Sequence, residues 1–439
     1  MKHILTWVLL AVALLVVIKV ARAVAFARRP DPAINLRSLT APPSAAPAPV
    51  PGVPADLADL LEPIRAKHKL PALAGAIVTG RELAALGAVG VRRAGGSEPV
   101  TRDDLWHLGS DTKAMTATML AVLVEQGTLR WDSTVGEVFK DLPMDDGWRA
   151  VTLEQLLRNR GGAPADLDKD GLWGRLWQFK GPPREARLEL VRGVLKHPPG
   201  QVGTFVYSNA GYAIAGAMAE QVTGSAWEDL MRERLFAPLG MTSVGFGAPG
   251  TPERVDQPRG HRRGKPVEPG PLGDNPPAIG PAGTVHCSIS DWARFVALHL
   301  EGPHGRGPGG GAALLKPESF ARLHAIDPGP GDPYAMGWLV TERPWAKGEG
   351  GTGRVLTHAG SNTMWYCVAW VAPERDFAVL VATNQGDGRA PRACDEAAGK
   401  LFERHLAATK RGAEMAPTTS PPAATPAPTP VPAPGSGPG

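Results

Sequence analysis

One tetrapeptide constrains this chain more than any other feature. Ser110-Asp111-Thr112-Lys113 is its only Ser-x-x-Lys, and it stands where a helix should begin. Trp106-His107-Leu108-Gly109 leads in. Ala114 to Gln126 continues as an apolar-periodic stretch, with Met115, Met119, Leu120 and Leu123 recurring at helical spacing. Residues three apart share a helix face, so Lys113 can reach the Ser110 hydroxyl. The unpaired N–H groups and positive dipole end of a helix start favour negative charge near Oγ. This is a way to activate a serine without a histidine. The same residues are also compatible with a helix N-cap followed by a solvated lysine. A chain of this length contains such a tetrapeptide about once by chance.

Two further segments complete a constellation. Tyr207-Ser208-Asn209 is the only Tyr-x-Asn, and it precedes a second apolar helix, Ala210 to Val222. A buried tyrosine followed by an asparagine cap is the plainer reading of it. His358-Ala359-Gly360-Ser361 follows Arg354-Val355-Leu356-Thr357, which reads as a strand. A strand ending in a glycine turn with a surface histidine would look the same.

Taken in order, these segments resemble the serine β-lactamase and penicillin-binding-protein superfamily, in particular its class C β-lactamase-like branch, which includes D-stereospecific peptidases and esterases. The Ser-x-x-Lys signature is known for that superfamily. The resemblance runs from about Asp56 to about Ala408. Other segments are similar to recurrent stretches of the family: Leu70 to Val78, Val122 to Asp132, Pro238-Leu239-Gly240-Met241, Gly280-Pro281-Ala282-Gly283 and, as the strand before the third motif, Tyr334-Ala335-Met336-Gly337-Trp338.

The resemblance implies an α/β fold: an antiparallel sheet flanked by helices, with an inserted, mostly helical lobe. It implies that Ser110 accepts the acyl group and that Lys113 helps take its proton. A free lysine has a pKa of about 10.4, so Lys113 must be buried or near other cations to serve as a neutral base. Tyr207 would relay a proton between Oγ and the leaving group. Asn209 would contact substrate or hold Lys113. The Ser110 and Ser361 N–H groups, beside Gly360, would form an oxyanion hole. No metal and no cofactor is implied.

Two departures bear on substrate. Many members carry Lys-Thr-Gly where this chain has His358-Ala359-Gly360. A histidine, with a reference pKa of about 6.5, is a weaker carboxylate anchor. An ester, an amide or a D-amino-acid peptide is therefore expected rather than a β-lactam. A His358→Lys exchange should raise carboxylate-dependent activity. A β-lactamase or DD-carboxypeptidase is the alternative, and a non-catalytic penicillin-binding sensor holding a stable acyl adduct is the alternative of another class. The second departure is Leu156-Leu157-Arg158-Asn159-Arg160-Gly161-Gly162, where the family often has His-Thr-Ser-Gly. Its arginines read as solvated, or else as one facing the cleft and favouring an acidic substrate.

Composition agrees with a large enzyme domain. The chain has 439 residues, 43% of them hydrophobic, and a formal net charge of +4, too small and scattered to point to nucleic acid. Partners are expected to be small-molecule or peptide substrates, cell-wall fragments among them; oligomeric state is open. Cys287, Cys367 and Cys394 have no metal spacing, and either one disulfide or buried free thiols fit. There is no Gly-x-Ser-x-Gly elbow, no His-Glu-x-x-His and no phosphate-binding loop.

Residues 1–30 read as an export signal or an N-terminal membrane anchor, with the apolar run within 4–26 and basic residues after it. An extracytoplasmic location, periplasmic or secreted, follows as an expectation. Residues 31–55 form a Pro/Ala-rich linker, 56–409 the hydrolase domain with its helical lobe at about 128–280, and 410–439 a disordered Pro-rich tail. Hairpins are expected from Ala72–Val78 with Ala84–Val91 and from Met364–Val371 with Phe377–Thr383. Helices are expected at 153–158, 185–196, 210–222, 227–235, 290–300 and 393–408. Gly247 to Pro277 has little periodicity and reads as a loop bordering the cleft.

Overall fold

The computed structural model describes residues 55–80, 82–327 and 331–415. The apolar run within 4–26, nearly all of the linker, and the tail beyond residue 415 lie outside them. Among the described residues no helix is long and apolar enough to cross a membrane.

The core is one seven-stranded sheet in the order β1-β3-β2-β12-β11-β10-β9. The strands are β1 (Ala55–Asp56), β2 (Ala72–Thr79), β3 (Leu83–Gly90), β9 (Leu339–Glu342), β10 (Arg354–Ser361), β11 (Tyr366–Ala372) and β12 (Phe377–Thr383). As the sequence predicts, early and late strands meet: β2 pairs antiparallel with β12, Leu73 opposite Thr383 and Thr79 opposite Phe377.

The central strands are apolar on both faces, so both must be covered. Side chains alternate between two cores. Leu73 and Ile77 of β2, with Phe377, Val379 and Val381 of β12, pack under helices α1 (Ala58–His68) and α5 (Arg389–Met415), against Leu61, Leu401 and Phe402. Ala74, Ala76, Leu380 and Ala382 face the other way, toward α2 (Thr112–Glu125) and α4 (Ile289–Glu301). Every residue of α2 from Thr112 to Leu123 is buried. A helix apolar all round belongs between layers, and α2 lies between the sheet and the helical lobe. The lobe includes helices Leu153–Leu157, Leu172–Gln178, Pro183–Leu195, α3 (Asn209–Thr223) and Trp227–Met231.

Several expectations are corrected. Tyr334 to Trp338 is a tight turn, and the strand follows it as β9. His358 lies inside β10, in agreement with the sheet strand expected for it. Gly247 to Pro277 includes a hairpin of β6 (Gly260–Arg262) and β7 (Lys265–Val267). A second small sheet joins β4 (Leu105–His107), β8 (Val285–Ser288) and β5 (Gly245–Phe246), strands too short for periodicity to reveal. The last helix continues through Met415, into the segment expected to be disordered. Of the two alternatives left open for the cysteines, the structure has the second: all three are buried and in no disulfide.

Candidate active site

Ser110 sits in a 3-10 turn, Gly109–Asp111, that feeds directly into α2. The turn is partly open to solvent at Ser110 and buried on either side of it. Lys113, one turn on, is fully buried. Its Nζ has three polar neighbours: Ser110 Oγ at 3.1 Å, Asn209 Oδ1 at 2.8 Å and the Ala282 carbonyl at 2.7 Å. As an ammonium it donates to all three. As a neutral amine it keeps two donors for the carbonyl oxygens and turns its lone pair to the Ser110 hydroxyl.

Burial brings the Lys113 pKa from 10.5 down to about 7, with the Asp111 carboxyl partly opposing. Asp111 is itself buried, which pushes its carboxyl well above the usual range against the Cys367 thiol and Lys113. Cys367 Sγ donates to Asp111 Oδ2 over 3.1 Å. The acid beside Lys113 is thus biased toward its neutral form and anchors a lysine charge poorly.

Asn209 reaches Lys113 because it is not the helix cap. Ser208 caps α3, its hydroxyl accepting from Gly211 N–H at 3.2 Å, which leaves the Asn209 amide free to point at the lysine. Tyr207, just ahead, has its hydroxyl near Ser110, and its ring lies 4.8 Å from Lys113 Nζ. Burial raises the phenol above its ordinary value and the Ser110 contact offsets part of that, so Tyr207 stays protonated at neutral pH.

The third segment comes from β10. β9 pairs only as far as Thr357, so among the described residues the edge from His358 to Ser361 carries no neighbouring strand on that side. Gly360 and Gly109 let this edge meet the nucleophile turn. A Cβ on Gly360 would lie 1.8 Å from the Leu108 carbonyl oxygen, and one on Gly109 would lie 2.3 Å from the Ser361 nitrogen. The backbone at Ser110 and the Ser361 amide are therefore close neighbours.

His358 is buried behind Tyr207, in a ring cluster with Tyr207 at 6.3 Å and Tyr334 at 5.9 Å between centroids. Its Nδ1 donates to the Ala359 carbonyl at 3.0 Å, leaving Nε2 to accept from Tyr334 Oη at 3.4 Å. Burial, with Lys113 nearby, lowers its pKa to about 3. The imidazole is neutral at neutral pH and offers no cation to a carboxylate.

Arg158 and Arg160 are not solvated, which corrects the expectation for them. Both are buried, with Arg158 paired to Glu154 at 3.0 Å and Arg160 to Asp327 at 3.2 Å. Arg160 Nη1 also donates to the Gly203 carbonyl at 2.9 Å. The Arg160 guanidinium is taken up in holding the loop that carries Tyr207, and that of Arg158 in pairing with Glu154 and donating to the Ala325 and Arg322 carbonyls. Asn159 between them adopts φ 57° and grips the same loop. It accepts from Ser208 N–H through Oδ1 at 3.0 Å and from Val206 N–H through its carbonyl at 2.8 Å. Asn159, Tyr334 and the Ala282 carbonyl are the site-building groups that sequence reasoning did not assign. An asparagine, a residue type that tolerates positive φ, two positions before a Gly-Gly pair was the one available hint.

Comparison with known proteins agrees with this architecture. The family model described as Beta-lactamase matches residues 57–401. Penicillin-binding protein 4 of Amycolatopsis lactamdurans is 30% identical over 336 residues, 74% of this chain and 83% of that protein. An unguisins hydrolase of Aspergillus campestris is 27% identical over 299 residues, 64% of this chain but only 54% of that protein. The octameric penicillin-binding protein homologue from Pyrococcus abyssi shares the fold with a TM-score of 0.61, at 22% identity over 81% of this chain and 77% of that one. This chain belongs to the β-lactamase family, as a serine hydrolase.

Proposed function

We propose that the protein hydrolyses an ester, an amide or a D-amino-acid peptide through an acyl-enzyme on Ser110, in preference to β-lactams. The observation that carries the mechanism is the buried Lys113 amine held against Ser110 Oγ by Asn209 and Ala282. Near neutral pH a large fraction of this amine is unprotonated. It takes the Ser110 proton as Oγ attacks the acyl carbon. The oxyanion is received by the Ser110 and Ser361 N–H groups, contacts that strengthen as charge develops. Tyr207, protonated and beside Ser110, passes a proton to the leaving group and is resupplied from Lys113. Water then enters and the same groups run in reverse to release the acid.

The substrate preference rests on His358. A neutral, buried imidazole supplies no positive charge for the carboxylate that a β-lactam or a terminal D-alanine carries. Arg158 and Arg160 are engaged with Glu154 and Asp327. An uncharged acyl or peptide group suits such a site. The relatives named above include a hydrolase of unguisins as well as a penicillin-binding protein, so the family reaches past β-lactams.

Fluorophosphonate labelling of wild type and Ser110→Ala, then a panel of p-nitrophenyl esters, D-amino-acid amides and a chromogenic cephalosporin, tests the proposal. Labelling confined to Ser110, with turnover of esters or amides and little of the cephalosporin, supports it. Cephalosporin hydrolysis as fast as the best ester overturns the substrate preference. A persistent adduct without turnover identifies a sensor. We also propose an extracytoplasmic location from the apolar N-terminal run, which cell fractionation tests: the protein recovered only with the cytosol contradicts it.

A further inference from the structure

Behind the meeting point of the nucleophile turn and β10 lies a buried polar chain that none of the catalytic motifs includes. The Gly109 N–H donates to His107 Nδ1 at 3.1 Å. Because Nδ1 accepts, the imidazole proton sits on Nε2, which donates to Asp274 Oδ2 at 2.7 Å. The other carboxylate oxygen, Oδ1, accepts from Asn362 Nδ2 at 2.9 Å. Asn362 Oδ1 in turn accepts from the Met364 and Trp365 amides, each at 3.1 Å. His107, Asp274 and Asn362 are 1%, 4% and 3% exposed.

The two ends of this chain are significant. His107 ends β4, two residues before Gly109, and holds the amide that opens the Ser110 turn. Asn362 directly follows Ser361 and closes the turn between β10 and β11. Asp274 comes from neither segment but from the Gly/Pro-rich stretch after β7. Among the described residues it is the side chain that bonds to both His107 and Asn362. Burying a carboxylate is expensive unless its oxygens are well paired, and here each oxygen meets a neutral donor. A fully satisfied network of this kind fixes a single geometry.

We propose that Asp274 is a positioning residue that sets the separation of the Ser110 and Ser361 amides, by tying His107 and Asn362 together. The proposal rests on the reading of those amides as the oxyanion hole. Asp274 touches neither substrate nor Oγ, so its effect is on transition-state stabilisation and not on substrate capture. Donors aimed at developing charge lose most of their effect when displaced by a fraction of an ångström to an ångström.

The chemistry of the chain supplies a discriminating test. Asp274→Asn leaves one oxygen. If that oxygen keeps His107, the new amide NH2 faces the Asn362 NH2, donor against donor. Asn362→Asp sets two carboxylates against each other. The double variant Asp274→Asn/Asn362→Asp restores every donor–acceptor match with the polarity of one link reversed. Steady-state kinetics on the best ester, binding of a boronate transition-state mimic and thermal melts are to be measured on all three. Each single variant is expected to lower kcat by about tenfold to a hundredfold and to weaken the boronate in parallel, with KM within about twofold. The double variant is expected to return kcat and boronate affinity to near wild type. If a single variant does not fold, the double variant carries the test alone.

Single variants that melt lower but keep kcat and boronate affinity overturn the proposal, as does a folded double variant that stays slow. Fluorophosphonate labelling of wild type is the control. If Ser110 is not labelled, the hydrolase reading fails instead, and the two failures are told apart.

Discussion

Lys113 Nζ lies 3.1 Å from Ser110 Oγ, and the lysine has no exposed surface. Burial costs the amine its proton at an unusually low pH, about 7, and thereby makes it a base where an exposed lysine would be an inert cation. Asn209 and Ala282 orient it but bring no negative charge that would restore the proton.

The acid limb of the kcat/KM profile should therefore report Lys113. Activity is carried by the neutral amine, so it falls as pH drops through about 7. Asn209→Asp places a carboxylate against Nζ, favours the ammonium and should move the limb to higher pH. Asn209→Ala removes an acceptor that favours the charged form, so the limb should move lower while kcat falls. Opposite shifts in the two variants are the expected outcome, read from pH–rate profiles with one ester.

Tyr207→Phe should discriminate between leaving groups. The ring packing against Tyr334 and His358 is retained, so the fold should hold. Lost is the phenolic proton donor. An amide leaving group needs that proton and should slow by about a hundredfold or more, in line with general acid catalysis. A p-nitrophenolate leaves without it and should slow much less. Parallel kinetics on an anilide and an aryl ester measure the difference.

Asn159→Ala should reduce activity although Asn159 touches neither Ser110 nor Lys113 in any contact described above. An alanine at φ 57° is strained, and the bond to Ser208 N–H disappears. The Tyr207 loop is then held less firmly. Melting temperature should fall modestly and kcat by more than stability alone explains, with Asn159→Gly restoring the backbone but not the side-chain bond.

These supporting groups mark the limit of what was legible in the sequence. The helix opened by Ser110 and Lys113, the Tyr207 turn and the β2–β3 and β11–β12 hairpins follow from local periodicity and turn residues. Their pairing into one sheet follows from strands apolar on both faces. Asp274 and Asp327 carry no local signal, because their partners His107, Arg158 and Arg160 are far away in the chain. Arg158 and Arg160 looked solvated because charged side chains usually are; a distant carboxylate makes their burial tolerable. The Ala282 carbonyl is a backbone acceptor, and no residue type encodes it.

A buried histidine pair contributes to the acid stability. His299 Nδ1 and His324 Nε2 lie 2.8 Å apart, so one nitrogen donates and the other accepts, and the bond is lost once both rings are protonated. Burial lowers His299 from 6.5 to about 3 and His324 well below its ordinary value. The unfolded chain binds these protons first, so stability is full above about 6.5 and is lost as pH falls from there toward about 3. His299 contributes on the order of a few kcal/mol across that window, and His324 acts in the same direction. A His299→Leu/His324→Leu variant should show a flatter dependence of melting temperature on pH between those limits.

The most direct test of the account is the single-turnover rate of Ser110 acylation against pH, in wild type and in Lys113→Met, with the adduct located by mass spectrometry. The account predicts an adduct on Ser110 whose rate of formation rises through pH 7 in wild type and is slower by about a hundredfold or more, with that rise gone, in the variant. Equal rates in the two proteins, or an adduct on another residue, would contradict it.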